Sequence, residues 1–378
     1  MCRAVRHRSP DHYHDSVTAD VRPAVDRCPG LLRPHRAEDG LVVRVRMPGG
    51  RIGSDVLVDL TGLAGTLQLT SRGNVQLRGV AEARLPELTE QVAALGLLPS
   101  ASHELVRNVV ASPLTGLSAD RPNVRPMISE LDAAICGVPE LADLPGRFLF
   151  AIDDGRRDAW SVDFDIGYLA LNGSEGLLAV GSNHAGGRRG RPVRRDEAAA
   201  EMVRVATDFV RARRHGRGIG WRIWDLDESH PELRDLPSTV SSARSDPRTP
   251  LGIIGRAICA GVPLGFLTSS QAAAISVAAG GGPVVITPWR SVVIPDAAGS
   301  LPVLVGAGLI LDPASPWSKI TACVGSPGCA RSLIDTRAVA ADLALRPSNR
   351  PVHISGCERR CGAPAIAHDE LVGSWARH

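Results

Sequence analysis

Three short segments recur in the same order at nearly constant spacing, which limits the fold more than any other feature. Val262-Pro263-Leu264-Gly265-Phe266-Leu267 answers Met47-Pro48-Gly49-Gly50-Arg51-Ile52 at an offset of 215, and Val284-Val285-Ile286-Thr287 answers Leu67-Gln68-Leu69-Thr70 at 217. Ala322-Cys323-Val324-Gly325-Ser326-Pro327-Gly328-Cys329 answers Asn108-Val109-Val110-Ala111-Ser112-Pro113-Leu114-Thr115 at 214. Ordered self-similarity of this kind marks a duplicated unit. A chain of 378 residues can hold two or three core-bearing units. Two pseudo-symmetric halves are therefore expected.

The second copy carries cysteines that the first lacks. Cys323 and Cys329 form a C-x5-C pair, and Cys357 and Cys361 form a C-x3-C pair after a spacer of 27 residues. Four thiolates from two loops suit a cubane iron–sulfur cluster, one per iron. Gly325, Gly328, Gly356 and Gly362 let backbone N–H groups approach the sulfurs and allow turns with positive φ. Three other readings stay open at this point. A structural zinc site more often uses C-x2-C or C-x4-C pairs. Two disulfides need an oxidising compartment, which nothing in the sequence marks. Four unrelated buried cysteines would not usually bunch while the remaining four scatter. Under the duplication, Cys323 and Cys329 fall opposite Val109 and Thr115, so one half is expected to hold a metal group. The other keeps Arg72, Arg78 and Arg107 around an equivalent pocket.

Composition bears mainly on what the protein does not bind. Apolar residues make up 44% and charged residues 22%, as in a globular protein, and a net charge of +3 gives no field that implies nucleic acid. Of 43 basic residues only Lys319 is lysine, so an abundance of arginine proves nothing by itself. The polar opening MCRAVRHRSPDHYHDS has no apolar core of a signal peptide, and a cytoplasmic location is expected. Residues 257–289 carry no charge, but Pro263, Gly280, Gly281, Gly282 and Pro283 break any lipid-facing helix. No membrane span is expected.

Residues 1–27 read as a polar tail. Gly40-Leu41-Val42-Val43-Arg44-Val45-Arg46-Met47 alternates as a half-buried strand, residues 52–64 suit a short helix, and 66–70 and 75–80 read as strands before a helix over 85–95. Residues 127–143 have helical spacing. Strands follow at 148–152, near 160–171 and at 176–181. Ser182-Asn183-His184-Ala185-Gly186-Gly187-Arg188-Arg189 reads as a basic glycine-rich loop, 197–214 as an amphipathic helix and 225–250 as a linker.

The cysteine pattern resembles that of the nitrite/sulfite reductase superfamily, whose members hold a [4Fe-4S] cluster this way. Thr70-Ser71-Arg72-Gly73-Asn74-Val75-Gln76-Leu77-Arg78 and Arg107-Asn108-Val109 also match its tetrapyrrole-binding motifs. The resemblance implies an α+β protein of two halves, each pairing a ferredoxin-like unit with a mixed α/β unit. Its units would be 28–104 and 105–224 in the first half, and 251–310 and 311–378 in the second, where Cys323, Cys329, Cys357 and Cys361 hold the cluster. Reductases of the superfamily carry Lys-x-Lys in the strand after the R-N-V segment; here those positions are Arg147 and Leu149. Leucine cannot deliver a proton to an oxyanion.

That departure, with Cys28-Pro29-Gly30-Leu31-Leu32-Arg33, Phe148-Leu149-Phe150-Ala151-Ile152-Asp153-Asp154-Gly155 and Thr287-Pro288-Trp289-Arg290, is similar to the branch acting in cobalamin biosynthesis. The resemblance then implies O2-dependent hydroxylation of precorrin-3A at C20 with γ-lactone closure. Arg72, Arg78, Arg107 and Arg147 would pair with substrate carboxylates, and Asn183, His184, Arg188 and Arg189 would close over the macrocycle. It leaves the catalytic residue unassigned and leaves room for an additional non-haem iron. No GxGxxG opens a helix after a strand, so electrons are expected from an external donor, a reductase, a ferredoxin or an NADH system. The alternative within the superfamily is a sirohaem-dependent sulfite or nitrite reductase. Outside it stand a plain electron carrier and a zinc-stabilised binding module.

Overall fold

The structure is a computed structural model that describes residues 2–8, 26–181, 187–215, 220–225, 248–346, 350–364 and 366–374. The expected linker falls almost wholly outside the described residues, as do Asn183 and His184. Among the described residues no helix is long and apolar enough to cross a membrane.

In the first half, β2 (His35–Ala37), β3 (Gly40–Val45), β4 (Arg51–Gly53), α1 (Ser54–Ala64), β5 (Thr66–Leu69), β6 (Val75–Val80) and α2 (Leu85–Ala94) follow one another. The second half repeats them as β13 (Ala257–Gly261), β14 (Phe266–Thr268), α5 (Ser269–Ala279), β15 (Pro283–Ile286), β16 (Ser291–Ile294) and α6 (Leu301–Gly306), with β12 (Gly252–Ile254) in front. Equivalent turns are built alike. Thr70 Oγ1 accepts from the Asn74 N–H at 3.1 Å, and Thr287 Oγ1 from the Ser291 N–H at 3.3 Å. The duplication read from the sequence is therefore present in the backbone.

The halves are not separate in space. Their two sheets run β14-β5-β6-β3-β2 and β12-β13-β16-β15-β4, so each half lends its short strand to the other's sheet. Leu267 pairs with Leu67, and Val284 with Ile52. One apolar core spans both, with Leu57 and Leu60 of α1 in the same cluster as Ala272 and Ile275 of α5. Treating 28–104 and 251–310 as separate units thus cuts through both sheets. Gly50, at φ +71, lies at this crossing; a Cβ there would come within 1.9 Å of the Ile286 carbonyl oxygen.

The first α/β unit has strand order β11-β10-β9-β8-β7, formed by β7 (Val109–Ala111), α3 (Arg125–Gly137), β8 (Phe150–Asp153), β9 (Ile166–Ala170), β10 (Glu175–Gly181), β11 (Arg188–Arg194) and α4 (Arg195–His215). Arg188 and Arg189 thus begin a strand rather than belonging to a loop. The smaller C-terminal unit orders β1-β19-β18-β17, from β17 (Ile320–Ala322), α7 (Thr336–Ala344), β18 (Val352–Ser355) and β19 (His368–Gly373). Its edge strand β1 is Cys2–Arg8, antiparallel to β19. Residues 2–8 therefore depart from the expected unstructured tail, because β19 offers them an open edge.

The hydrogen-bond register corrects one equivalence. The Ser112 N–H donates to Ile152 O at 3.1 Å just after β7, and the Cys323 N–H donates to Ile354 O at 2.9 Å just after β17. Ser112, not Val109, therefore stands opposite Cys323. The shared Ser-Pro dipeptide had drawn the sequence match three residues out of register, and register follows hydrogen bonds rather than similarity.

Candidate functional site

Two candidate sites stand out. The first is a cavity of about 360 Å³ lined by Cys28, Arg44, Thr70, Ser71, Arg72, Arg147 and Arg222. Alternation along β3 builds one wall: Val43 and Val45 enter the core, while Arg44 and Arg46 take the other face. Arg44 Nε donates to Gln76 Oε1 at 2.9 Å, and Gln76 Nε2 donates to Gln68 Oε1 at 2.9 Å, so the guanidinium is held across three strands.

The turn after β5 supplies Arg72, whose Nη1 donates to Gly146 O at 3.4 Å. The same carbonyl accepts from Asn108 Nδ2 at 3.0 Å, and Asn108 Oδ1 accepts from Asn74 Nδ2 at 3.2 Å. The two asparagines of the matched motifs thus clamp the arginine turn to the α/β unit. Arg147 lies 5.2 Å from the Trp221 ring. Arg222 donates to Asp165 Oδ2 at 2.8 Å and stacks 4.4 Å over Trp224.

Charge in this cavity is unbalanced. Burial, then the charges of Arg44 and Arg72, bring Arg46 down to about 9, and burial, then Arg222, brings Arg72 down to about 10. Buried Asp165 is pushed up to about 6 despite Arg222. Guanidiniums keep their charge at neutral pH even so. Several of them around one cavity, with Asp26 and Asp165 as nearby acids, make a site for a polyanion, above all for carboxylates met bidentately.

Several expected substrate residues do not line this cavity. Arg107 is buried against Asp132 in a bidentate pair at 2.8 and 2.7 Å. Arg78 pairs with Asp39 at 3.0 and 3.1 Å and donates to Gly328 O at 2.8 Å, so it fastens the first cysteine loop. Arg188 is fully buried, donates to the carbonyl oxygens of Trp160 and Val162, and lies 3.8 Å over the Phe164 ring. Arg189 is on β11 opposite Val180. Arg72 and Arg147 are the expected residues that do line it. Sequence reasoning missed Arg44 and Arg222. The alternation of β3 signalled the former; no motif marks the latter.

Leu149, where the reductases have a second lysine, is buried with Trp160 and Phe164. Beyond them, Asp153, Asp154 and Asp158 bring carboxylate oxygens within 4.8 Å of one another. Ser112 Oγ donates to Asp158, the backbone N–H groups of Gly155, Arg157 and Trp160 donate to Asp153, and Arg156 pairs with Asp154. These acids are already engaged.

The second site gathers the four cysteines, all as free thiols. Cys323 directly follows β17, Cys357 follows β18, and the loops after each bring Cys329 and Cys361. The Gly356 N–H donates to Cys323 Sγ at 3.1 Å. Burial raises the Cys361 thiol, and negative charge on Cys323, Cys357 and Cys329 raises it further. The Cys361 thiol thus senses the charge of the other three cysteines. Gly325 and Gly362 have φ of +73° and +81°, and a Cβ on Gly356 would collide with Ser332 Oγ. The glycines keep these loops close, and the donor set suits an iron–sulfur cluster.

Strand-exchanged ferredoxin-like units, each half paired with an α/β unit, give a two-half fold of nitrite/sulfite reductase type. Residues 33–95 match the family described as the nitrite/sulfite reductase ferredoxin-like half domain. The chain resembles a precorrin-3B synthase from Sinorhizobium sp, with 27% identity over 376 residues, covering 92% of this chain and 80% of the relative. It is 28% identical over 400 residues to ferredoxin–nitrite reductase of Synechococcus elongatus, covering 89% and 77%. Among solved structures, NirA of Mycobacterium tuberculosis superposes with a TM-score of 0.67 at 21% identity, over 84% of this chain and 68% of that one, which shows the fold.

Proposed function

We propose that the chain is a precorrin-3B synthase, which hydroxylates precorrin-3A at C20 with O2 and closes a γ-lactone through an acetate side chain. The cavity carries this reading. A polycarboxylate macrocycle needs several fixed cations, and Arg44, Arg72, Arg147 and Arg222 provide them where a small oxyanion would need proton donors as well. Leu149 offers none. The reaction balances with two electrons and two protons: one oxygen atom enters the substrate and the other leaves as water.

Cys323, Cys329, Cys357 and Cys361 would hold a [4Fe-4S] cluster, whose contribution is to relay electrons one at a time from an external donor. The chain's own residues bind and orient. Arg72 and Arg147 grip carboxylates, and Arg222 is held in place by Asp165. Arg78 ties the cluster loop to the first half through Gly328, keeping the two sites at a set separation. The second reading is a sirohaem-dependent nitrite or sulfite reductase, favoured by the similarity to the Synechococcus enzyme.

The deciding experiment is anaerobic purification with iron, sulfide and extractable tetrapyrrole quantified. About four irons per chain without sirohaem, followed by O2-dependent conversion of precorrin-3A, is the expected result. Sirohaem in the extract would mean that the arginines hold a cofactor, and the reductase reading would replace the synthase.

A further inference from the structure

Arg290 is a half-buried cation that neither site described above uses. It closes the turn after β15, where the first half has Gly73: the Arg290 N–H donates to Thr287 O as the Gly73 N–H donates to Thr70 O. Both residues are left-handed, at φ of +60° for Arg290 and +67° for Gly73. Glycine adopts this conformation freely, whereas a side chain is strained there. The second half thus keeps an arginine where the backbone favours glycine.

The side chain runs along a path cleared by two more glycines. A Cβ on Gly265 would meet Arg290 Cδ at 2.8 Å, and a Cβ on Gly362, next to Cys361, would meet Arg290 Nη2 at 3.4 Å. The guanidinium therefore ends against the second cysteine loop. Burial lowers its pKa with no acid acting in return, and His353, on β18 ahead of the second cysteine loop, feels its charge. No hydrogen bond or ion pair of this half-buried guanidinium is formed among the described residues.

We propose that Arg290 is the fixed countercharge of the four-thiol site, stabilising its more negative, reduced form and so raising its midpoint potential. The proposal rests on the reading that the cysteines hold an iron–sulfur cluster. One added electron makes that site one charge more negative, with no bond made or broken, and a cation beside it in a low-dielectric setting favours the change. The first half has Gly73 at the equivalent turn.

The test compares wild type with Arg290→Gly, Arg290→Gln and Arg290→Lys, each purified anaerobically and titrated electrochemically while iron and sulfide are quantified. Arg290→Gly suits the backbone, so loss of charge can be read without added strain. Removing the charge should make the site on the order of tenfold harder to reduce, about 59 mV lower in midpoint potential. Arg290→Lys should stay near wild type. An unchanged potential in the glycine and glutamine variants overturns the proposal. So does loss of iron and sulfide from both, which would make the arginine a builder of the site. Weaker binding of uroporphyrin at unchanged potential also overturns it, since the charge would then serve the ligand. Wild-type protein without iron and sulfide would instead sink the cluster reading and take this inference with it.

Discussion

Replacing Arg72 with methionine should stabilise the ligand-free protein while weakening its grip on a polycarboxylate. Burial and the charge of Arg222 bring the Arg72 pKa from 12.5 to about 10, a fall that corresponds to ~3 kcal/mol against the charged form. At pH 7 the group is protonated both folded and unfolded, so this cost is fully present and is relieved only as pH rises through 10. Water in the cavity screens part of it, leaving roughly 1–2 kcal/mol. Its hydrogen bond to Gly146 O is long at 3.4 Å, and that carbonyl keeps Asn108 at 3.0 Å, so little is lost in exchange. Thermal denaturation at pH 7 should therefore show Arg72→Met melting a few degrees higher than wild type. Uroporphyrin, a stable polycarboxylate tetrapyrrole, should bind roughly 10- to 100-fold more weakly, for loss of one charge-assisted pair. A variant destabilised by more than about 1 kcal/mol without ligand would refute the reasoning, because Arg72 would then be a compensated structural charge.

Three further outcomes are expected. Asp158 is pushed up to about 7 by burial and by Asp153. Its ionisation costs stability as pH rises from about 4 to 7, so Asp158→Asn should gain ~2 kcal/mol relative to wild type between pH 5 and pH 8 in denaturant titrations. A difference that does not change with pH would exclude this group as the source. Gly50→Ala should lower stability by about 3 kcal/mol or more, read as a lower urea midpoint, since its Cβ meets backbone rather than a movable side chain. Arg188→Met should lose ~2 kcal/mol of stability, because two buried carbonyls lose their donor, while uroporphyrin affinity stays unchanged. A weakened affinity with intact stability would return Arg188 to the substrate site.

Local chemistry was legible along the chain. Alternation set β3 and the Thr-x-Arg turn placed Arg72 at the cavity, because each depends on residues a few positions apart. The duplication was legible too, since equivalent turns need equivalent residues, such as Thr70 and Thr287. Partner choice was not. Whether an arginine serves a ligand or an internal acid depends on what lies across the fold: Asp132 claims Arg107, Asp39 and Gly328 claim Arg78, and the Trp160 and Val162 carbonyls claim Arg188.

The exchange of β4 and β14 escaped the sequence for the same reason. Strand pairing is a contact between segments 200 residues apart for Leu67 and Leu267 and 232 apart for Ile52 and Val284, and a three-residue strand fits either sheet by its own pattern. Arg222 reaches the cavity only because the chain returns to Asp165 after α4, with no motif around it. The sequence by itself determined which groups can do chemistry, since that follows from residue type and local spacing. Only the tertiary structure decided which of those groups face the cavity, because burial and long-range pairing assign each charge either to a neighbour or to a ligand.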